Sequence, residues 1–411
     1  MLQMDNGHLL LQALKAAIRG ETVQWDGLCR QENWQKLFRL ARAHHVLPLL
    51  LDVVHSCPDF LAVDEQLRRR WKREAMQLSA GQTMRAVAFS RLYTRMILAG
   101  LKPLVMKGAV CRSLYPNPCL RPSSDEDVLV HPTQFLQAVE FLESQGLRCL
   151  SPEADARREH ELGFISPEGM YIELHCSPFP PESAALQQCN AFFSEAAERL
   201  MTVVTQELEV LTLSPHDHML YLLLHAFKHF IHSGFGIRQV CDILLWAEHY
   251  GEKIDWALLL DQCRQIRCEK FSLTVFAVAR EYLGFDAEKA GIEHLLEENL
   301  PAEELLQDML GAGVFGGSSR SRKHSASITL NAVEADRKGK KTSLLSTLFP
   351  PRAQLQGRYP YLQKRPVLLP VAWCDRIIHY AGERSEDNAA SESVQIGRQR
   401  KALLRQLDIM E

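Results

Sequence analysis

Three short stretches hold the residues best suited to chemistry: Met106-Lys-Gly-Ala109, Arg121-Pro-Ser-Ser-Asp-Glu-Asp-Val-Leu-Val130 and Tyr171-Ile-Glu-Leu-His175. Residues two apart on a strand face the same side. Asp125 and Asp127 therefore project together from one strand, and Glu173 and His175 from another. Three carboxylates brought to one point repel unless cations neutralise them, and hard divalent ions with oxygen ligands are the usual solution. Two such ions can activate an attacking oxygen and stabilise a leaving one during in-line displacement at phosphorus. Lys107-Gly108 stands between a predicted strand and a predicted helix at 109–114. There a glycine lets backbone amides approach phosphate, and a helix N-terminus attracts anions. Lys107 and Arg121 add point and bidentate charge suited to a triphosphate. Each feature is weak alone, because an Asp-x-Asp pair is also a common solvated turn before a strand.

The elements that must position these residues follow from periodicity. Pro103 to Met106, Asp125 to Val130 and Tyr171 to His175 read as strands, and Thr133 to Gln145 reads as a helix stopped by Gly146. Val203 to Leu213 reads as one further strand, ending at Ser214-Pro215-His216-Asp217, which has the N-cap, proline and acid of a helix start. The expected fold is thus α+β: a small mixed-sheet core at 101–213 between an N-terminal helical region at 1–100 and a helical domain at 214–310. Within the first region, Leu67, Trp71, Ala75, Leu78, Phe89, Tyr93 and Met96 recur at helical steps, with Gly100 as the stop. The basic patch Arg68, Arg69, Arg70, Lys72 and Arg73 on that helix reads as a solvated face, with a phosphate-binding stripe as the alternative. Residues 311–340 read as a basic flexible loop, with seven Lys or Arg against two acids between 318 and 341, and 341–411 as a C-terminal tail with short helices.

Composition narrows the classes. The 411 residues are 46% hydrophobic and 24% charged, which excludes wholesale disorder, a collagen repeat and a rod-like coiled coil. A net charge of −3 gives no global field toward nucleic acid or an anionic membrane, and the basic loop lacks interleaved aromatics, so no strong nucleic-acid signal emerges. The eleven cysteines include no CxxC pair, and their spacing suits neither a disulfide framework nor a zinc ribbon. With no signal-peptide pattern at the N-terminus and no apolar run of membrane-spanning length, a cytoplasmic protein without a transmembrane segment is expected.

The helical half contributes a second polar group. His225, Lys228, His229 and His232 fall at i, i+3, i+4 and i+7, with Tyr221 on the same face and Leu220, Leu224, Phe227 and Ile231 opposite. A zinc site, a phosphate or acceptor surface and a solvated face are all compatible with this stripe. Arg238 and Asp242 stand four apart, as in a simple helix ion pair. His160, flanked by Glu159 and Glu161, reads as a surface histidine near the site.

In order and context these segments are similar to the DNA polymerase beta-like nucleotidyltransferase superfamily. More narrowly, Leu104-Val-Met-Lys-Gly108, Leu114-Tyr-Pro116, Arg121 with the aspartate pair, and Ile172-Glu-Leu-His175 resemble the bacterial family of uncharacterised nucleotidyltransferases. His225-Ala-Phe-Lys-His229, Ser233 to Asp242, Leu348-Phe-Pro350 and Leu368-Leu-Pro370 extend the resemblance. It implies transfer of a nucleoside monophosphate from an NTP, ATP among the candidates, to an acceptor hydroxyl or phosphate, with two Mg²⁺ or Mn²⁺ ions and release of pyrophosphate. Asp125, Asp127 and Glu173 match the metal carboxylates; Lys107, Gly108, Ala109, Arg121 and Ser124 are expected around the phosphates. His175, His225, Lys228, His229, Arg238 and Asp242 form a candidate acceptor or phosphate face, since the resemblance sets this helix against the cleft. A sugar, a peptide and a protein side chain all remain open as acceptor. Two departures stand out: Gly108-Ala109 where the superfamily has Gly-Gly or Gly-Ser, and Glu126 where it has an apolar residue. They motivate an alternative, a catalytically inactive nucleotide- or partner-binding protein on the same fold.

Overall fold

Before the sheet the chain forms α1 (Asn6–Arg19), α2 (Gln31–Ala43), α3 (Leu47–Val54), α4 (Pro58–Leu61) and the long α5 (Glu65–Leu98). This is a computed structural model that describes residues 6–25, 31–181, 183, 186–205, 208–232, 234–312, 352–355, 359, 361–382 and 389–410. The Asp64 carboxylate accepts from the amides of Gln66 and Leu67 and so starts α5, and Gly100, at φ +80°, turns the chain out of it. The apolar stripe of α5 buries Trp71 against Trp34 and Phe60, with ring centroids 5.8 and 5.7 Å away.

The sheet holds β1 (Leu104–Val105), β2 (Glu126–Leu129), β3 (Arg148–Cys149), β4 (Glu161–Ile165) and β5 (Tyr171–His175) in the order β1-β2-β5-β4-β3. The β2–β5 pair is parallel and the others are antiparallel, giving the expected mixed sheet. The short α6 (Gly108–Arg112) follows β1, and α7 (Phe135–Ser144) follows β2. Strand alternation divides the sheet into two faces. Val128, Leu162, Phe164, Ile172 and Leu174 are buried on one. Asp127 opposite Glu173, and His175 opposite Leu129 and Glu161, lie on the other.

The segment expected as one strand at 203–213 is instead a hairpin. It comprises β6 (Leu200–Val204) and β7 (Glu209–Leu213), antiparallel, with Val204 opposite Glu209. Thr205 N–H donates to Leu208 O at 2.9 Å and closes the turn. The hairpin joins the core where the Thr212 hydroxyl donates to Val105 O at 2.6 Å.

Then come α8 (Pro215–His232), α9 (Ile237–Tyr250), α10 (Trp256–Gln265), α11 (Glu269–Leu283) and α12 (Ala302–Ala312). Helix α8 is buried on two sides: Leu220, Leu224, Phe227 and Ile231 are fully enclosed, with Phe227 against Phe271 of α11, while its histidine stripe covers the polar face of the sheet. Arg19 ties α1 to α9 through two bonds to Glu248, at 2.5 and 2.6 Å. The final helix, Ala389–Gln406, docks through Leu403, Leu404 and Arg400, whose guanidinium donates to Phe230 O. One hydrophobic cluster includes side chains from Leu9 to Met410. The basic segment after Ala312 and Leu348-Phe-Pro350 lie outside the described residues. Among the described residues, no helix is long and apolar enough to cross a membrane.

Candidate active site on the polar face of the sheet

The parallel register of β2 and β5 puts Asp127 directly beside Glu173, and His175 follows two residues on along the same face. Ligand atoms of Asp127, Glu173 and His175 all lie within 4.8 Å of one another. His175 Nε2 is 3.6 Å from Asp127 Oδ1 and 3.8 Å from Glu173 Oε2; its Nδ1 is 3.5 Å from Glu161 Oε2 on β4. Asp127 Oδ2 and both His175 nitrogens are buried without a hydrogen bond. Buried polar atoms left this way are costly; Oδ2 faces Lys107 and Nδ1 faces Glu161, and Nε2, flanked by Asp127 Oδ1 and Glu173 Oε2, is the one that a cation bound by a carboxylate and imidazole set would satisfy. This donor set fits a divalent metal. Asp125 stands just before β2, half-buried, with the Ser124 hydroxyl 3.2 Å from its Oδ1, outside the three-residue cluster but close enough to influence Glu173.

Charge balance in the site is uneven. The Glu173 carboxyl is pushed up to about 7, first by burial and then by the negative charges of Asp127, Asp125 and Glu161. Asp127 behaves oppositely. Burial alone would raise it, but Lys107 and the His175 ring hold it well below the usual carboxylate range. The Lys107 ammonium lies 3.5 Å from Asp127 Oδ2 and 3.3 Å from His225 Nε2, with 5% of the residue exposed. Burial opposes its charge, yet Asp127 and Asp125 raise its pKa above the ordinary lysine value.

Glu126 resolves its own apparent misfit. It points to the opposite face of β2, where its carboxylate accepts from Ala109 N–H at 2.8 Å and pairs with Arg112 at 2.6 Å, all buried. A Cβ on Gly108 would sit 1.8 Å from Glu126 Oε2, and the backbone there has φ +41°. Glycine at 108 therefore makes room for an internal carboxylate. The Ala109 amide at the start of α6, expected among the phosphate contacts, is bonded to Glu126.

Arg121, expected at the phosphates, is instead fully buried and clamped to Asp242 of α9, with Nε to Oδ1 at 3.0 Å and NH2 to Oδ2 at 2.5 Å. Tyr115 donates to the same Oδ1 at 2.8 Å. The Arg238–Asp242 helix pair anticipated from spacing gives way to this longer-range one; Arg238 donates to Pro122 O. Arg121, Tyr115, Arg238 and Asp242 thus join the segment before β2 to α9.

The histidine stripe of α8 faces the carboxylates. His225 Nε2 is 3.3 Å from both Lys107 Nζ and His229 Nε2. An ammonium only donates, so His225 Nε2 is the acceptor and its proton resides on Nδ1. Burial, then Lys107, hold both rings neutral, His229 down to about 3. Lys228 reaches Glu161 Oε2 at 3.9 Å, and His160 Nε2 lies 3.8 Å from the same oxygen. Arg112 carries no mark in the sequence, Tyr115 enters only within Leu114-Tyr-Pro116, and Glu161 only as a neighbour of His160. The alternation Glu161-Leu-Gly-Phe-Ile165 was the available signal for the last.

Comparison with known proteins finds a family and a solved structure. Residues 30–284 match the family described as uncharacterised nucleotidyltransferase. A crystal structure of an antigenic nucleotidyltransferase-like protein from Paracoccidioides brasiliensis aligns with 50% of this chain and 93% of its own, at 15% identity and a TM-score of 0.29. No curated protein matches.

Proposed function

Because the chain belongs to the uncharacterised nucleotidyltransferase family, we propose that its polar sheet face transfers a nucleoside monophosphate from an NTP to an acceptor hydroxyl or phosphate. The observation that carries this reading is the convergence of Asp127, Glu173 and His175 on one face of β2 and β5, with His175 Nε2 buried and without a hydrogen bond. These three residues would hold a divalent cation, with Asp125 at the edge of the site. When bound, such an ion neutralises phosphate charge and acidifies the attacking hydroxyl. The acceptor oxygen bonds to the α-phosphorus, the bond to the bridging oxygen of the β-phosphate breaks, and pyrophosphate leaves with that electron pair. Glu173 would complete the ion's ligand set next to the attacking oxygen and help deprotonate the acceptor. Lys107 holds positive charge beside Asp127 throughout.

Thermal unfolding of wild type and Asp127→Asn with each of the four NTPs, with and without Mg²⁺, tests this. A nucleotide at a hundred times its Kd raises stability by about 2.7 kcal/mol. A Mg²⁺-dependent upward shift in wild type that disappears in Asp127→Asn is the expected result. No shift with any NTP, or an equal shift in the variant, would sink the reading. A second reading is favoured by Glu126 bonded at Ala109 and by Arg121 clamped to Asp242: nucleotide binding without turnover. Metal-dependent binding with no pyrophosphate released toward sugar, peptide or protein acceptors would select it.

A further inference from the structure

Resting on the carboxylate-site reading, we infer that the site takes a single divalent cation with His175 as a ligand, and that the Lys107 ammonium stands where a second ion would otherwise sit. Two-ion phosphoryl-transfer sites need carboxylates that bridge the ions, one oxygen toward each. Here the two oxygens of Asp127 face different groups. Oδ1 looks toward His175 and, beyond it, Glu173; Oδ2 looks toward Lys107 Nζ at 3.5 Å. Asp125, the other candidate bridge, is outside the convergent set and bonds instead to the Ser124 hydroxyl. Three ligand atoms therefore define one cation position, and a fixed monovalent cation lies on the far side of the shared carboxylate.

The ammonium is held there by the fold. Lys107 is the residue at which β1 turns into α6; its carbonyl accepts from Val110 N–H at 2.9 Å, and the next amide but one is anchored on Glu126. His225 accepts from Nζ on the other side, so withdrawal of the side chain would strand a buried imidazole and a buried carboxylate. At the ion position the imidazole changes the preference. Nitrogen ligands suit Mn²⁺ and later transition ions better than Mg²⁺, and Glu161 Oε2 lies 3.5 Å from His175 Nδ1, across the ring from the Nε2 that faces Asp127 and Glu173.

Mn²⁺ is the probe, counted by titration and observed by its electron paramagnetic resonance spectrum. Wild type, Lys107→Gln and His175→Ala are compared, each with and without α,β-methylene-ATP. Wild type should bind one Mn²⁺ per chain beyond that carried by free analogue, giving an isolated six-line spectrum even with the analogue present. Lys107→Gln should admit a second ion and show an exchange-coupled pair, and His175→Ala should weaken Mn²⁺ binding at least tenfold. A coupled pair in wild type overturns the single-ion proposal while leaving the carboxylate site standing. Unchanged stoichiometry in a folded Lys107→Gln, or unchanged affinity in His175→Ala, also overturns it. No Mn²⁺ bound by any form overturns this inference and the carboxylate site together. The wild-type spectrum decides even if a variant fails to fold.

Discussion

At the scale of single residues, Gly108 shows how a motif can carry a different physical meaning from the one its pattern suggests. A glycine after a strand and before a helix invites a phosphate-loop reading, because glycine permits close approach of an anion to backbone amides. The anion that approaches is Glu126 of the chain itself, paired on its other side with Arg112. The sequence disclosed Glu126 as an oddity but not its partner, because Arg112 lies on a helix too short for its orientation to be read from periodicity. Gly108→Ala is expected to destabilise by about 3 kcal/mol or more, since it combines positive-φ strain with displacement of a buried ion pair. Gly146→Ala is the control: φ is +82°, but nothing lies within 4 Å of the added methyl, so only backbone strain of about 1 kcal/mol applies. Urea unfolding of the two variants measures the difference, and equal losses would show that Glu126 is not the cause.

At the scale of elements, β2 and β5 were legible because five or six residues of strand pattern coincide with residue types that need a common face. Their parallel pairing then puts Asp127 beside Glu173 without further assumptions. Strand β4 was hidden: it begins with an acid, contains Gly163 and offers only two buried apolar residues, Leu162 and Phe164. In the sequence the β6–β7 hairpin reads as one strand, because its turn is polar but lacks the Gly or Pro that usually marks a break. Long-range pairs were the least legible of all, and Arg121–Asp242 is the clearest case, since sequence spacing offered Arg238 as the neighbour. With Arg121 fully enclosed, Asp242→Ala leaves a buried guanidinium without its carboxylate and should cost about 3 to 5 kcal/mol. Arg121→Met combined with Asp242→Leu should recover much of that loss. Chemical denaturation of the single and double variants supplies the comparison; losses that simply add would mean the pair is not coupled.

At the scale of the whole molecule, the junction of the β6–β7 hairpin, α8 and α9 closes over a histidine away from the metal-ligand cluster. His218 is fully buried, its Nδ1 lies 2.9 Å from the Thr212 hydroxyl, and its ring stacks on Trp246 with centroids 3.9 Å apart. Burial pushes the imidazole down to about 3 from an ordinary value of 6.5. The folded state therefore binds this proton more weakly than the unfolded chain does. Between 6.5 and 3 the unfolded chain carries the extra proton, so stability is complete above 6.5 and declines as pH falls through that window. For this one group the loss between pH 7 and pH 4.5 is about 2 to 3 kcal/mol, at 1.36 kcal/mol per unit below the unfolded pKa. Because three elements meet at His218, the loss should register as weakening of the global transition and not as fraying of one helix. His218→Gln should lower stability at pH 7 through lost stacking, yet flatten the decline toward pH 4.5. Urea midpoints of both proteins across pH 4.5 to 7.5 measure it. Parallel curves would place the acid sensitivity in other groups and leave His218 as packing alone.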